Sequence, residues 1–222
     1  MLAVFAAIMA ANTLVADIFD AENRIDAANE PAALVAIRDA MLREPPLIAS
    51  FDESRKFPFR KDAITLQGQS CFMPGRALLL SYTVPEQKRV LMDAGGLYEV
   101  SANGMLIRRP VPAQYENLFS LYNLNLAALG EDFGLYFESK CETWAIGIEK
   151  TDSQNRPGKA ASVQTRTMTI VMEGSGSRLL AMHITRGASV RIDITMSETR
   201  PMNDEELSAL NSIVEGKDEA TQ

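Results

Sequence analysis

The stretch Ile64 to Val100, ITLQGQSCFMPGRALLLSYTVPEQKRVLMDAGGLYEV, leaves little choice of secondary structure. Gly68, Pro74-Gly75, Pro85-Glu86 and Ala94-Gly95-Gly96 punctuate it into short segments, none with room for a helix of about ten residues. Short apolar runs bounded by turn residues read as strands. Alternation puts Leu78, Leu80, Tyr82 and Val84 on one face, with Leu79, Ser81 and Thr83 opposite. Between Lys88 and Asp93, Val90 and Met92 oppose Arg89, Leu91 and Asp93. The expectation is an antiparallel meander with one apolar and one mixed face.

The rest of the chain continues the pattern. Asp20 to Glu44 predicts a helix, with Asn29 as N-cap, Leu34, Ile37 and Met41 on one face, and Pro45-Pro46 as the stop. Leu47 to Lys56 reads as the first strand, anchored by Ile48 and Phe51. Beyond the meander, Asn103-Gly104 is a hairpin turn into MLIRR. Ala113 to Leu129 predicts a helix that clusters Leu118, Leu121 and Leu124, with Gly130 as its stop. Strands then return. Leu135 to Phe137 is one; Trp144, Ile146 and Ile148 share a face, as do Met168, Ile170 and Met172. Met182 and Ile184, and then Ile192 and Ile194, repeat the alternation across turns at Gly174 to Ser177 and Gly187-Ala188. Thr151 to Val163 reads as a solvated loop. After Pro201, Asn203 or Asp204 caps a helix from Glu205 to Val214, and 216–222 reads as a frayed polar tail.

About nine or ten antiparallel strands with few helices cannot be covered on both faces. A sheet of this size must curl over its apolar side or leave it exposed. The expected fold is therefore α+β: a curled antiparallel sheet, a half-open, incomplete β-barrel, with helices covering its apolar concave face. Residues 17–215 read as one domain. Met1 to Ala16 is apolar but shorter than the roughly 20 residues a membrane helix needs. It resembles the apolar core of a secretory signal, although it lacks a basic lead; a buried N-terminal helix is the alternative.

Charge and composition exclude several function classes. A net charge of −7 argues against a nucleic-acid partner. One histidine, His183, and two cysteines are too few for a nitrogen–sulfur metal cluster, so no metal and no cofactor are expected. No phosphate loop, nucleophile elbow or zinc-protease motif occurs, and no residue is assigned a catalytic role. His183 falls on the polar side of its strand and reads as solvent-facing. Arg108-Arg109 reads as an exposed strand end, with an anionic headgroup site as the alternative. Cys71 and Cys141 admit two readings: a disulfide in an oxidising compartment, or two small buried thiols. Met92, Met168, Met172, Met182 and Met196 all fall on apolar strand faces, where a flexible thioether suits either ordinary packing or a surface that repacks around varied ligands.

The order of features also carries a resemblance. A phenylalanine strand with a polar tail (FDESRKF) precedes Gly68 and an aromatic before proline (CFMPG). Then come an apolar strand ending in tyrosine before a second proline (LLLSYTVP) and an Asp-small-Gly turn (MDAGGLYEV). From about Ala32 to Ala209 the chain resembles the periplasmic lipoprotein-carrier family, the LolA-like proteins, as a divergent member. Met73 precedes Pro74 where many such carriers have an arginine that helps lock a helical lid. The resemblance implies an apolar cavity that takes the acyl chains of a lipoprotein or lipid. It implies a periplasmic location, an inner-membrane transporter that supplies cargo and an outer-membrane receptor that accepts it.

On that reading the cavity wall comprises Phe72, Leu78, Leu80, Tyr82, Val90, Met92, Trp144, Ile146, Ile148, Met168, Ile170, Met172, Met182, Ile184, Ile192 and Ile194. The lid comprises Leu34, Ile37, Met41, Leu118, Leu121 and Leu124. For each, plain core is the competing role. The expected function is a monomeric carrier that transfers acyl cargo to the outer membrane. The alternative is a non-transporting envelope sensor or interaction module on the same scaffold. An enzyme would need polar groups on the inward faces, where only Tyr82 and Tyr98 offer themselves.

Overall fold

A computed structural model of the protein describes residues 18–111, 118–129, 133–153, 164–187 and 189–220. The strands are β1 (Arg24–Ile25), β2 (Leu47–Lys56), β3 (Ile64–Met73), β4 (Ala77–Val84), β5 (Lys88–Asp93), β6 (Gly96–Val100) and β7 (Leu106–Arg109). After them come β8 (Phe133–Lys140), β9 (Thr143–Ser153), β10 (Gln164–Ser175), β11 (Arg178–Arg186) and β12 (Val190–Pro201). Three α-helices accompany them: α1 (Ala32–Arg43), α2 (Leu118–Tyr122) and α3 (Asp204–Ala220). Short 3-10 turns stand at Ala21–Asn23 and Leu126–Leu129. Hydrogen bonds order the strands β1-β8-β9-β10-β11-β12-β2-β3-β4-β5-β6-β7 in one sheet. β1 and β7 end that order, so the sheet keeps two edges and does not close. The expected class, α+β on an unclosed antiparallel sheet, is what the chain adopts.

The chain divides into two compact units. One contains Ser54–Ile64 and Leu126–Ile194 with the residues before Arg38; the other contains Arg38–Glu53, Thr65–Asn125 and the chain from Thr195 onward.

In the second unit, β3 to β6 are the meander that the turn residues predict. Cross-strand register aligns Phe72, Leu78, Met92 and Leu97 in one row. It aligns Cys71, Leu79, Leu91 and Tyr98 in the row on the opposite face. Gly68 is not a break. It lies inside β3 at a register shift opposite Tyr82. There a Cβ would stand 2.2 Å from the Ser81 carbonyl oxygen, so the sequence needs glycine for close approach rather than for a turn. The expected mixed face is a second apolar core. Met73, Ala77, Leu79, Leu91, Tyr98 and Val100 pack with Leu210 and Val214 of α3. Tyr98 therefore faces α3 and not the side of Leu78.

The sequence holds α3 in place at its first turn. The Glu206 amide donates to Asn203 Oδ1 at 2.9 Å and the Asn203 amide donates to Glu206 Oε2 at 2.9 Å, a reciprocal capping box. Arg200 grips the same carboxylate with two bonds of 2.8 and 2.6 Å. Those bonds, with the Asn203 amide, hold the Glu206 carboxyl down at about 2. The helix continues past Val214 to Ala220, beyond the expected start of the tail.

In the first unit, register aligns Leu135, Ile148, Ile170 and Ile184 in one row and Phe137, Ile146, Met172 and Met182 in the next, on the same face. All eight are buried. On the other face Ile18, Tyr136, Ala145 and Val171 form a second cluster with Phe19 against it. Gly147 makes room for that contact: a Cβ there would meet Phe19 at 3.0 Å and Ile18 at 3.1 Å. Here too the alternation that marks one apolar face conceals a covered patch on the other.

Three local expectations are corrected. The predicted helix from Asp20 begins only at Ala32, because Asp26 makes a turn of its own: its carboxylate accepts from the Ala28 amide at 2.9 Å and the Asn29 side chain at 3.1 Å, so Asn29 is not a helix cap. β1, which occupies part of that span, is too short to leave a periodic signal. The predicted helix to Leu129 is broken after Tyr122, where Leu124 adopts a left-handed φ of 49°. The signal-like segment Met1 to Ala16, the beginning of the Ala113 helix, Gly130, Ala188 and most of the Thr151 to Val163 loop lie outside the described residues.

Candidate functional site

The site is built in the second unit, where α2 lies over the Phe72–Leu78–Met92–Leu97 face. The Phe72 and Tyr122 rings are 6.1 Å apart, and Phe119 borders a hollow with Met92 and Leu97. Leu121 and Leu124 are buried. One side chain ties α2 to the β3–β4 turn. Asn123, itself buried, accepts from the Gly75 amide through Oδ1 at 2.7 Å and donates from Nδ2 to the Phe119 carbonyl at 2.8 Å. Met73, next to that turn, packs into the α3 core. The sequence signal was Asn123 itself, a capping residue between buried leucines.

Two hollows border α2, and both are lined by its Phe119 and Ser120. The larger, about 530 Å³, is lined by Arg38 and Leu42 of α1, by Gly75 and Ala94, and by Phe119, Ser120, Asn123 and Asn125. The smaller, about 350 Å³, is lined by the Met92–Leu97 turn, Arg108, Val111, Phe119 and Ser120. Both volumes are in the range of small-molecule sites.

Next to this region one carboxylate is buried on an apolar face. Ala49, Phe51 and Glu53 alternate inward along β2, and Glu53 is 2% exposed. Tyr82 donates to Glu53 Oε2 at 3.3 Å, and the Tyr82 ring stands edge-on to Phe51 at 5.2 Å. Burial first, and then the Glu53 charge, push the Tyr122 phenol well above its ordinary value, so it stays protonated. Sequence reasoning took Glu53 as part of a polar tail; its period-2 spacing from Phe51 was the signal that places it inside.

The structure brings the expected wall residues Phe72, Leu78, Leu80, Val90 and Met92 onto one face of the second unit, with Tyr82 at its rim, and Met92 borders the smaller hollow. Trp144, Ile146, Ile148, Ile170, Met172, Met182 and Ile184 are buried in the first unit, as are Ile192 and Ile194; Met168 is half-buried there. Of the expected lid, Leu34 and Met41 are buried and Ile37 is half-buried, while the Leu118 side chain lies outside the described residues. Arg38, Leu42, Leu97, Phe119 and Asn123 were missed as site residues, and Arg108 was weighed only as the alternative to an exposed strand end. Most belong to turns or to the far side of a helix, where periodicity carries no information.

Cys71 and Cys141 are free thiols, so the disulfide reading is corrected. The Cys71 side chain packs under α3, where burial above all pushes its thiol up to about 11, while Cys141 is an exposed turn residue with φ 56°. His183 is also corrected. It is half-buried between two carboxylates, Nδ1 at 2.7 Å from Asp193 Oδ1 and Nε2 at 3.5 Å from Glu173 Oε1. Among the described residues no cluster is placed to hold a metal.

The hydrogen bond to Glu173, then the bond to Asp193, outweigh burial and raise the His183 pKa above 6.5. A raised histidine pKa adds stability that is fully present below about pH 6.5 and lost as pH rises through the folded-state value. His183→Gln is therefore expected to lower the urea midpoint at about pH 6 and to have a clearly smaller effect at about pH 9. An equal loss at both pH values would mean that the imidazolium contributes nothing.

The arrangement defines an α+β protein with an unclosed antiparallel sheet and, in one unit, a helix fastened over an apolar strand face. No protein-family model matches the chain, and no curated protein sequence does. Solved structures do share similarity with it. The LolA superfamily protein NE2245 of Nitrosomonas europaea is 11% identical over 77% of this chain and 92% of that one, with a TM-score of 0.42. A DUF1329 family protein of Desulfovibrio piger is 9% identical over 78% and 92%, with a TM-score of 0.46. A putative outer membrane lipoprotein-sorting protein domain of Vibrio parahaemolyticus is 11% identical over 82% and 97%, with a TM-score of 0.38. At such identities and TM-scores these likenesses carry no functional weight, and the reading below rests on the chain's own residues.

Proposed function

We propose that the protein is a periplasmic carrier that shelters the acyl chains of a lipoprotein or lipid and passes them toward the outer membrane. The single observation behind this is α2, set over an apolar strand face beside two hollows and fastened to the β3–β4 turn by Asn123. An apolar ligand that buries the same strand face can take the place of such a cover, because it restores the apolar area the helix gives up. The sequence resemblance, from FDESRKF through MDAGGLYEV, supports the same reading.

The energetics are sufficient without chemistry. Keeping an acyl chain from water is worth about 0.8 kcal/mol per CH₂, so a chain of about 16 carbons needs on the order of 10 kcal/mol of apolar shelter. No catalytic residue is required for that. In this role an inner-membrane transporter would load the carrier and an outer-membrane receptor would unload it.

The test is native mass spectrometry of the protein purified from its own compartment, followed by lipid extraction. A co-purifying acyl species near one per chain is expected, with uptake of a fluorescent fatty acyl probe by the stripped protein. An empty protein that also refuses the probe would leave the interaction module as the better reading.

A further inference from the structure

The hollows beside α2 differ from a plain apolar cavity in one respect: each carries an arginine. Arg38 lines the larger, Arg108 the smaller, and Ala94, Phe119 and Ser120 are common to both. Arg108 and Arg109 are neighbours on β7 and point to opposite faces, and their partners differ. Arg109 donates to Glu99 at 3.0 Å, a carboxylate it shares with Lys88 at 3.9 Å, so it has an ion-pair partner on the sheet. Arg108 donates to the Gly95 carbonyl at 3.1 Å, a neutral acceptor. That bond uses one of five N–H donors and fixes the guanidinium at the hollow's edge. Asp93 also lines this hollow, and its Oδ1 accepts from the Gly95 and Gly96 amides at 2.7 and 3.1 Å, which holds the turn in shape. The remaining wall combines the apolar side chains Met92, Leu97, Val111 and Phe119 with Ser120 and the backbone of the turn.

A guanidinium held beside apolar walls is complementary to one kind of ligand: a carboxylate or phosphate joined to a hydrocarbon tail. The net charge of −7 makes the point sharper. At long range this protein repels anions, so any preference for an anionic lipid has to come from local contacts. We propose that the adjoining hollows beside α2 are the headgroup end of the ligand site, and that the cargo is an anionic amphiphile whose charged group is taken by Arg108, with Arg38 lining the neighbouring hollow. The inference rests on the carrier reading and deepens it by naming the cargo's charge and the end that holds it.

The test is displacement of a bound uncharged acyl probe by oleate, by a short-chain phosphatidylglycerol and by uncharged monoolein, on the full chain and on Arg108→Gln, Arg38→Gln and Arg109→Gln. The carboxylate and phosphate arms distinguish the two anionic headgroups. Oleate or phosphatidylglycerol is expected to displace the probe about tenfold better than monoolein. Arg108→Gln is expected to abolish that preference while monoolein is unaffected; Arg38→Gln should reduce it and Arg109→Gln should leave it intact. Arg108→Lys, which keeps the charge and loses the fork, should retain part of it. Matching thermal melts for the variants would exclude loss of fold. Equal displacement by charged and uncharged lipids, or an Arg108→Gln variant that weakens all of them alike, overturns the headgroup inference and leaves the carrier reading standing. A protein that takes up no probe at all overturns the carrier reading itself.

Discussion

Trp144→Ala is expected to lower the unfolding free energy by about 3–5 kcal/mol, the usual cost of emptying a buried aromatic site. Trp144 is 1% exposed, and its Nε1–H donates to the Gly176 carbonyl at 2.9 Å. The ring lies directly over Gly174, its cross-strand partner on β10, where a Cβ would come within 2.0 Å of Trp144 Cζ2. Truncation therefore leaves a cavity and strips a carbonyl of its donor at once. The measurement is urea unfolding, read as a fall in midpoint at unchanged slope. A loss below about 1 kcal/mol would mean that the surrounding strands collapse into the space. Gly174→Ala probes the same contact from the other side. It should be severe in the parent chain and partly relieved when combined with Trp144→Ala. Relief stays partial because the Arg178 carbonyl oxygen also lies 2.6 Å from that Cβ position. The non-additivity of the pair measures the ring-on-glycine contact itself.

The second large effect is expected from the smallest change, Gly68→Ala. The added methyl would sit 2.2 Å from the Ser81 carbonyl oxygen, 2.9 Å from its carbon and 2.9 Å from Phe51 Cζ. Phe51 can swing away, but Ser81 belongs to the β3–β4 ladder and cannot move without breaking it. Overpacking of this kind costs about 1–3 kcal/mol and can exceed that where backbone is the obstacle. The loss should appear as a lower urea midpoint together with weaker acyl-probe binding, because β3 carries Phe72 beneath α2. Gly216→Ala supplies the contrast. No atom lies within 4 Å of a Cβ there, and the position is exposed in α3. That substitution should stabilise by about 0.5–1 kcal/mol, since alanine loses less entropy than glycine in a helix. Two Gly→Ala changes of opposite sign would separate close approach from helix propensity; a neutral Gly68→Ala would refute the crowding argument.

Much of the fold was legible in the sequence because strand periodicity and turn residues act locally. β2 was readable end to end from Leu47 to Lys56, and the β3 to β6 meander from Pro74-Gly75, Pro85 and the Ala94-Gly95-Gly96 turn. The late hairpins followed from alternating Ile and Met. The site was far less legible. Asn123, Arg38, Arg108 and Phe119 come together from a helix break, a helix flank, a strand end and α2, and no spacing along the chain links them. Glu53 reads as a polar tail until β2 is set in register and turns it inward beside Tyr82.

By itself, then, the sequence determined which residues extend, where they turn and which side chains share a strand face, because those follow from a two-residue repeat and from the backbone limits of proline and glycine. Only the tertiary structure decided what covers each face. Leu79 and Leu91 look like the drier half of a mixed face until α3 packs on them, and the role of Gly68 changes from turn to point of close approach once the Ser81 carbonyl lies against it. The physical reason is common to both cases. Burial and steric contact depend on atoms far apart in sequence, and their positions are set only when the strands pair and the helices pack.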